Sequence, residues 1–259
     1  EVKVKSVLGT LDDANIIEDA MVHTFALPGA FSQQEIDAAN VIEKNGIAID
    51  SYRTDWRQKN FVTIDGADAR DFDDAICIEP EGNDWRVYVA ISDVSHYIKA
   101  GSVLDKAAYA RATSVYLPNS VLPMLPKVLS DGLCSLCPDV DRLVKGIEIR
   151  LTREGAVESF QFHKAVICSK KRLTYTDASE IITGSKSSEQ WLEKMLQEAL
   201  AVYQQLDKKR RKRGALEIDL PYTKIIFNQF NKIESMGKEK RLVTHKIIEE
   251  LMLLANEIT

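Results

Sequence analysis

Between residues 61 and 92 the apolar residues come in short runs bounded by polar and turn residues, which is the spacing of strands: Phe61 to Asp65, Ala75 to Glu79 and Arg86 to Ser92. Val87, Tyr88, Val89, Ala90 and Ile91 leave neither face polar, so this strand is expected to be central and covered on both sides. Pro80-Glu81-Gly82-Asn83-Asp84 predicts a hairpin loop before it. A second antiparallel pair is expected from Gly146 to Leu151 and Val157 to Ile167 around Arg153-Glu154-Gly155, with Ile147, Ile149 and Leu151 alternating against Glu148 and Arg150. Helical spacing takes over elsewhere. Ser32-Gln33-Gln34-Glu35 is a capping box ahead of Ile36, Ala39, Val41 and Ile42, with Gly46 as a stop, and predicts a connecting helix over 32–45. A long helix is expected to start near Ser187, with Gln190 as its box partner, and to bury Trp191, Leu192, Met195, Leu196, Ala199, Tyr203 and Leu206 before Gly214. On a terminal helix His245, Glu249, Met252 and Asn256 form a partly polar stripe against Ile247, Ile248, Leu251 and Leu254. Residues 1–30 read as strand, polar turn and a short apolar stretch ending at Leu27-Pro28-Gly29, the tail of a preceding small β-barrel; 31–50 read as helix and linker. The fold class is α+β, with a mixed, largely antiparallel sheet and packed helices.

Composition narrows the function little. The 259 residues are 45% hydrophobic, enough for a sizeable core, and no apolar run is long enough for a membrane span. A net charge of −5 argues against a broad basic nucleic-acid surface, although an enzyme threading a single strand needs cations only along its channel. Cys77, Cys134, Cys137 and Cys168 suit packing in a reducing compartment; Cys134 and Cys137 have C-x-x-C spacing but no second pair for zinc. Together with the missing signal region they predict a cytoplasmic protein. The N-terminus lacks an initiator Met and the helical pattern is still running at Thr259, so both ends read as those of a fragment. The run Lys208-Lys209-Arg210-Arg211-Lys212-Arg213 is either a solvated helix terminus facing the dipole's negative end or a contact to a nucleic-acid backbone.

One segment carries the chemistry. From Asp65 to Asp74, ten residues hold five carboxylates, Asp65, Asp68, Asp71, Asp73 and Asp74, between two apolar runs. A solvated acidic turn is the bland reading of such a loop. Against it, Asp65 ends one strand-like run and Asp74 starts the next, which would fix two ligands on rigid backbone, with Gly66 freeing the turn. Like charges so close call for a positive partner, and an all-oxygen set suits a hard divalent cation such as magnesium or manganese. No frame fits a calcium loop of the EF-hand type. Asp71-Phe72-Asp73 gives the D-x-D of aspartyl-phosphate phosphatases without the Thr or Val that should follow.

The segment resembles the catalytic signature of the ribonuclease II / ribonuclease R family of 3′-to-5′ exoribonucleases, and is nearer the ribonuclease R branch through Gly66, Asp68-Ala69-Arg70 and Phe72. Further blocks match in order: Val89 to Val94, Arg111 to Pro118, Leu122 to Pro126, Leu129-Ser130-Asp131-Gly132-Leu133-Cys134-Ser135-Leu136, Arg172-Leu173-Thr174-Tyr175 and His245 to Glu250. The resemblance runs from about residue 50 to the end and implies that 51–259 is the N-terminal portion of an RNB catalytic domain, with 1–30 the tail of a cold-shock or OB-like domain. It implies magnesium-dependent, processive hydrolysis of single-stranded RNA to nucleoside 5′-monophosphates by a monomer. By position Asp65, Asp71, Asp73 and Asp74 match the family's four aspartates; Asp65 and Asp74 would be the direct ligands, with Asp71 and Asp73 completing the catalytic and metal set. Asp73 would act on the second metal or the attacking water. Asp68 falls on a variable position. Tyr116 and Tyr175 match positions that touch the last nucleotides, and Glu249 a residue that contacts the 3′-terminal sugar, whereas Glu250 is structural and His245 is unassigned. Ile218 stands where ribonuclease II has a stacking aromatic, and nothing matches the family's catalytic arginine. The competing expectation is therefore a catalytically impaired fragment or homologue that binds RNA without cutting it; a phosphatase or deaminase lacks its own motifs.

Overall fold

The computed structural model describes residues 4, 7–10, 16–117, 120–216, 222–228, 233–239 and 241–259. They fall into two compact units. The smaller takes in residues up to Ile42, Ile98–Lys127 and Leu220–Lys240, the larger Glu43–Tyr97, Val128–Asp219 and Arg241–Thr259.

The larger unit is built on a mixed sheet. Its strands are β1 (Thr54–Asp55), β2 (Val62–Asp65), β3 (Asp74–Glu81), β4 (Asp84–Ser92), and, after the smaller unit's hairpin β5 (Val115–Tyr116) and β6 (Val121–Leu122), β7 (Asp141–Leu151), β8 (Val157–Cys168) and β9 (Lys171–Thr174). The seven-stranded order is β1-β8-β7-β4-β3-β2-β9, antiparallel except for the outer pairs β1 with β8 and β2 with β9. As the apolar run predicts, β4 is central, and Val87, Tyr88, Val89 and Ala90 are buried. Only Ile91, at the end nearest the acidic segment, is exposed. The β3–β4 connection is tighter than expected: Glu81 pairs with Asp84, so Gly82 and Asn83 make a two-residue turn, and Gly82 supplies the positive φ of 62° that such turns demand.

Side chains divide by strand parity. On one face Val62, Ile64, Ile76, Ile78, Val87, Val89, Ile147, Ile149 and Leu151 meet helices α5 (Tyr175–Thr183), α6 (Gln190–Lys212) and α7 (Val243–Ile258), through Ile181, Leu192, Leu196, Ile247 and Leu251. Each such fully buried side chain contributes about 1.5–3 kcal/mol relative to exposure. The other face gathers Trp56, Phe61, Phe72, Tyr88 and Ile167. Trp56 lies directly over Gly146, where a Cβ would come within 2.2 Å of the indole. The cysteines are free, as expected, and Cys77 and Cys134 are buried.

One helix start differs from the sequence reading. The Ser187–Gln190 box does not form: Glu189 is the N-cap of α6, and the Glu193 carboxylate accepts the Ser188 N–H at 2.8 Å. The Lys171 ammonium holds both Glu189 oxygens at 2.7 Å, which fixes the helix start against β9. At its other end the basic run is exposed except for the half-buried Arg210. Arg210 pairs with the buried Glu250 at 2.5 Å, Arg211 with Asp207 at 2.7 Å and Arg213 with Glu257 at 2.6 Å, so three of its six cations tie α6 to α7 or to itself. Glu250 is structural, as its position predicts.

In the smaller unit, α1 (Ile16–Thr24) forms where a polar turn and apolar stretch are expected. The expected box at Ser32 does form: Glu35 accepts the Ser32 N–H at 2.6 Å at the start of α2 (Gln33–Asn45). A short α3 (Val94–Tyr97) follows β4 in the larger unit, and α4 (Val103–Arg111) opens on Ser102, whose hydroxyl accepts the Asp105 N–H at 3.2 Å. Strands β10 (Tyr222–Phe227) and β11 (Ile233–Glu239) form a separate antiparallel ribbon. Ile218 lies outside the described residues.

Candidate active site

Strands β2 and β3 register at Val62–Ile76 and then part, and the acidic segment bridges their ends. Asp65 is the last residue of β2 and Asp74 the first of β3, so both expected ligands stand on sheet backbone. Between them Phe72 turns inward, 8% exposed, and anchors the loop in the second core while its neighbours Asp71 and Asp73 flank it. Gly66 is not needed for its freedom: its φ is not positive, and a Cβ there would meet nothing within 4 Å. Asp68 is exposed.

Two clamps hold the loop, and neither is marked by the sequence reading. Ser135, fully buried, donates its hydroxyl to the Arg70 carbonyl at 2.8 Å and accepts the Phe72 N–H at 3.1 Å. The Phe72 carbonyl accepts the Leu136 N–H at 2.8 Å. Ser135 is presented by a π-helical turn, Val128–Leu133, whose exit Arg142 braces by donating to the carbonyls of Ser135 at 2.7 Å and Gly132 at 3.1 Å. On the opposite side Arg172 of β9 donates to the Gly66 and Ala67 carbonyls at 2.6 and 2.9 Å and lies 5.5 Å from the Phe72 ring centroid. Both residues sit inside blocks that carry the resemblance. A buried Ser after Cys134, and a cation in a strand beside an aspartate-ended strand, are the signals that could have found them.

The electrostatics follow from the crowding. Burial, then Asp74, pushes the Asp65 carboxyl up to about 7, with Arg172 pulling the other way and Asp71 and Asp73 adding to the rise. Burial and Asp73 push Asp74 up to about 6. Asp73 has an exposed side chain, yet desolvation by the surrounding loop and the charge of Asp71 raise it too. These four aspartates therefore share one field, and Oδ2 of Asp65 is buried with no hydrogen-bond partner. An oxygen-only set with a partnerless buried oxygen fits a hard divalent cation. Among the described residues, no group of three or more His, Cys, Asp or Glu side chains is arranged to hold a metal ion as it stands.

Tyr175 shares that field. The first residue of α5, it follows Thr174, which registers with Asp65 across β2–β9. Burial, then Asp65 and Asp74, push its phenol up to about 12, so it stays protonated. Glu249 lies on α7 in the same unit, exposed and ion-paired with Arg241. Tyr116 belongs to the smaller unit, where it pairs with Val121 across the β5–β6 hairpin and is 66% exposed. The structure thus gathers Asp65, Asp71, Asp73, Asp74 and Tyr175.

The RNB domain model matches residues 53–259, a span that includes this acidic loop, both of its clamps and Tyr175. The chain belongs to the RNB domain family. The RNB chain is 41% identical to Ribonuclease R of Escherichia coli (strain K12) over 259 residues, which cover 98% of the chain and 32% of that relative. Ribonuclease R of Thermotoga maritima is 41% identical over 265 residues, covering 99% of the chain and 37% of the relative. Among solved structures, Mycoplasma genitalium RNase R in complex with ribose methylated single-stranded RNA superposes with a TM-score of 0.90 at 28% identity, over 98% of the chain and 40% of that protein. The chain spans about a third of the length of the curated relatives it matches. Among the described residues no helix is long and apolar enough to cross a membrane.

Proposed function

We propose that this chain carries the acidic centre of a cytoplasmic 3′-to-5′ exoribonuclease that hydrolyses single-stranded RNA to nucleoside 5′-monophosphates with magnesium or manganese. The observation that carries the reading is Asp65: a half-buried carboxylate at a strand end, with one buried, partnerless oxygen, in the field of Asp71, Asp73 and Asp74 and beside Tyr175. Folding that cluster without a cation costs free energy, which the raised carboxyls record. The relatives named Ribonuclease R and the RNA-bound structure supply the reaction class.

In this reading Asp65 and Asp74, held by strand backbone, are the direct ligands, and Asp71 completes the set. A bound divalent ion would neutralise the phosphate oxygens and lower the barrier to water attack. Asp73, exposed and with a raised carboxyl, accepts the proton of the attacking water. Attack on phosphorus breaks its bond to the 3′ oxygen of the preceding nucleotide, which takes up a proton as it leaves. Tyr175 stacks on a terminal base, a contact that tolerates any sequence. Glu249 would meet the terminal sugar, and Tyr116 would offer a second aromatic surface for RNA.

Among the described residues no three metal-ligating side chains converge as they stand, which favours a second reading, an RNA-binding protein that does not cut. A 3′-labelled single strand incubated with magnesium and the full-length polypeptide separates the two. Mononucleotide product from the unmodified protein, with Asp73→Asn binding RNA but releasing none, supports the hydrolase. Binding without product from both supports the second reading.

A further inference from the structure

The first turn of α7 carries a histidine that neither the acidic loop nor its clamps use. His245 stacks on Tyr175 with ring centroids 3.8 Å apart and planes 16° from parallel. Both rings are fixed from behind. The imidazole Nδ1 accepts the Leu242 N–H at 3.1 Å, so that nitrogen carries a lone pair, and the neutral ring places its proton on Nε2. One residue earlier, the fully buried Thr244 donates its hydroxyl to the Tyr175 carbonyl at 2.8 Å. Thr174 and Asp177 cap α5 reciprocally and hold the tyrosine backbone at the helix start. The tyrosine ring packs in part against the apolar core under the helices, and the imidazole covers one of its faces.

We propose that His245 is a positioning residue: its ring covers one face of Tyr175 and fixes the phenol beside the aspartates, leaving the opposite face or edge to meet the terminal base. The inference rests on the exoribonuclease reading. Its physical content is rotational. Without the imidazole against it, the part of the ring that the core does not grip is freer to shift, and each departure moves the stacking surface away from the site. Base stacking on an aromatic contributes enough to binding that incomplete positioning is visible in turnover.

The bland alternative is that His245 only caps α7 through the Leu242 N–H, and two substitutions in the full-length polypeptide divide the roles. His245→Gln keeps an acceptor at the capping position and loses the ring; His245→Phe keeps a ring and loses the acceptor. The expected result is that His245→Gln melts like the parent but loses about tenfold in kcat on single-stranded RNA, whereas His245→Phe is less stable yet retains kcat within about twofold. On a Tyr175→Ala background the His245→Gln loss should disappear, since it acts through the tyrosine. The inference is overturned if His245→Gln retains full turnover, if His245→Phe is as impaired as His245→Gln, or if the losses at 175 and 245 add. Unmodified protein that leaves RNA uncut would refute the hydrolase reading and this inference together; active protein with any of the three other patterns refutes this inference alone.

Discussion

Replacing Ser135 by Ala removes one oxygen from the centre of the site without touching a carboxylate. That hydroxyl makes two bonds to the acidic loop, to the Arg70 carbonyl and from the Phe72 N–H, and it is fully buried. A lost bond that strands a buried polar group costs about 1–3 kcal/mol, and the Phe72 N–H, on a residue 8% exposed, has no water to turn to. The expected loss is about 2–3 kcal/mol, shared between global stability and the fixed shape of residues 70–73. If half falls on the loop, the aspartates are less preorganised by about 1–1.5 kcal/mol, equivalent to roughly a tenfold weaker hold on a divalent ion. The assay is RNA hydrolysis against magnesium concentration, with urea unfolding of the same protein. Ser135→Ala should shift the magnesium midpoint upward about tenfold and approach the parent rate at saturation. A midpoint and stability equal to the parent's would refute the clamp, and a rate not restored by magnesium would place Ser135 in another role.

Other expectations test separate parts. The metal-free protein has Asp65 near 7 and Asp74 near 6, both above the ordinary carboxylate range, so the folded state binds more protons than the unfolded state between about pH 4 and 7. Stability in chelator should therefore fall as pH rises through that window, and magnesium should flatten the slope at its upper end; melting scans across pH with and without the ion check both. Arg210→Ala leaves the buried Glu250 carboxylate unpaired and should destabilise by about 3 kcal/mol in urea, while Lys208→Ala changes stability by less than about 0.5 kcal/mol. Gly146→Ala drives a Cβ into Trp56 and should cost at least about 1–3 kcal/mol, with reduced or shifted indole fluorescence as the local readout.

The sheet is legible in the chain because its strands are short apolar runs with turn residues between them, and β4 reads as central because no polar residue interrupts Val87 to Ile91. Cβ alternation likewise marks Ile147, Ile149 and Leu151 as inward. Helix starts are less legible. Ser32 with Glu35 is a capping pair read in the sequence and formed at α2, whereas the pair at Ser187 and Gln190 is visible but overridden by the Lys171–Glu189 ion pair. That partner is a strand away and leaves no local trace. The same holds for the site. Asp65 and Asp74 can be placed at strand ends from pattern alone, but the hydroxyl of Ser135, the guanidinium of Arg172 and the ring of His245 reach the loop or Tyr175 through tertiary contacts of 63 to 106 residues in separation where the bonds are direct. The basic run after Leu206 shows the converse: its charge is obvious in sequence, while its use in pairs with Glu250 and Glu257 depends on where α7 packs.

In the proposed reaction the aspartates of the 65–74 loop hold a divalent cation. Anomalous diffraction from manganese-soaked crystals of the full-length protein bound to a single-stranded RNA, alongside Asp65→Asn, addresses this directly. Ion density coordinated by Asp65 and Asp74 and lost in the variant is the expected result. Carboxylates turned to solvent with no ion density beside the bound RNA would contradict it.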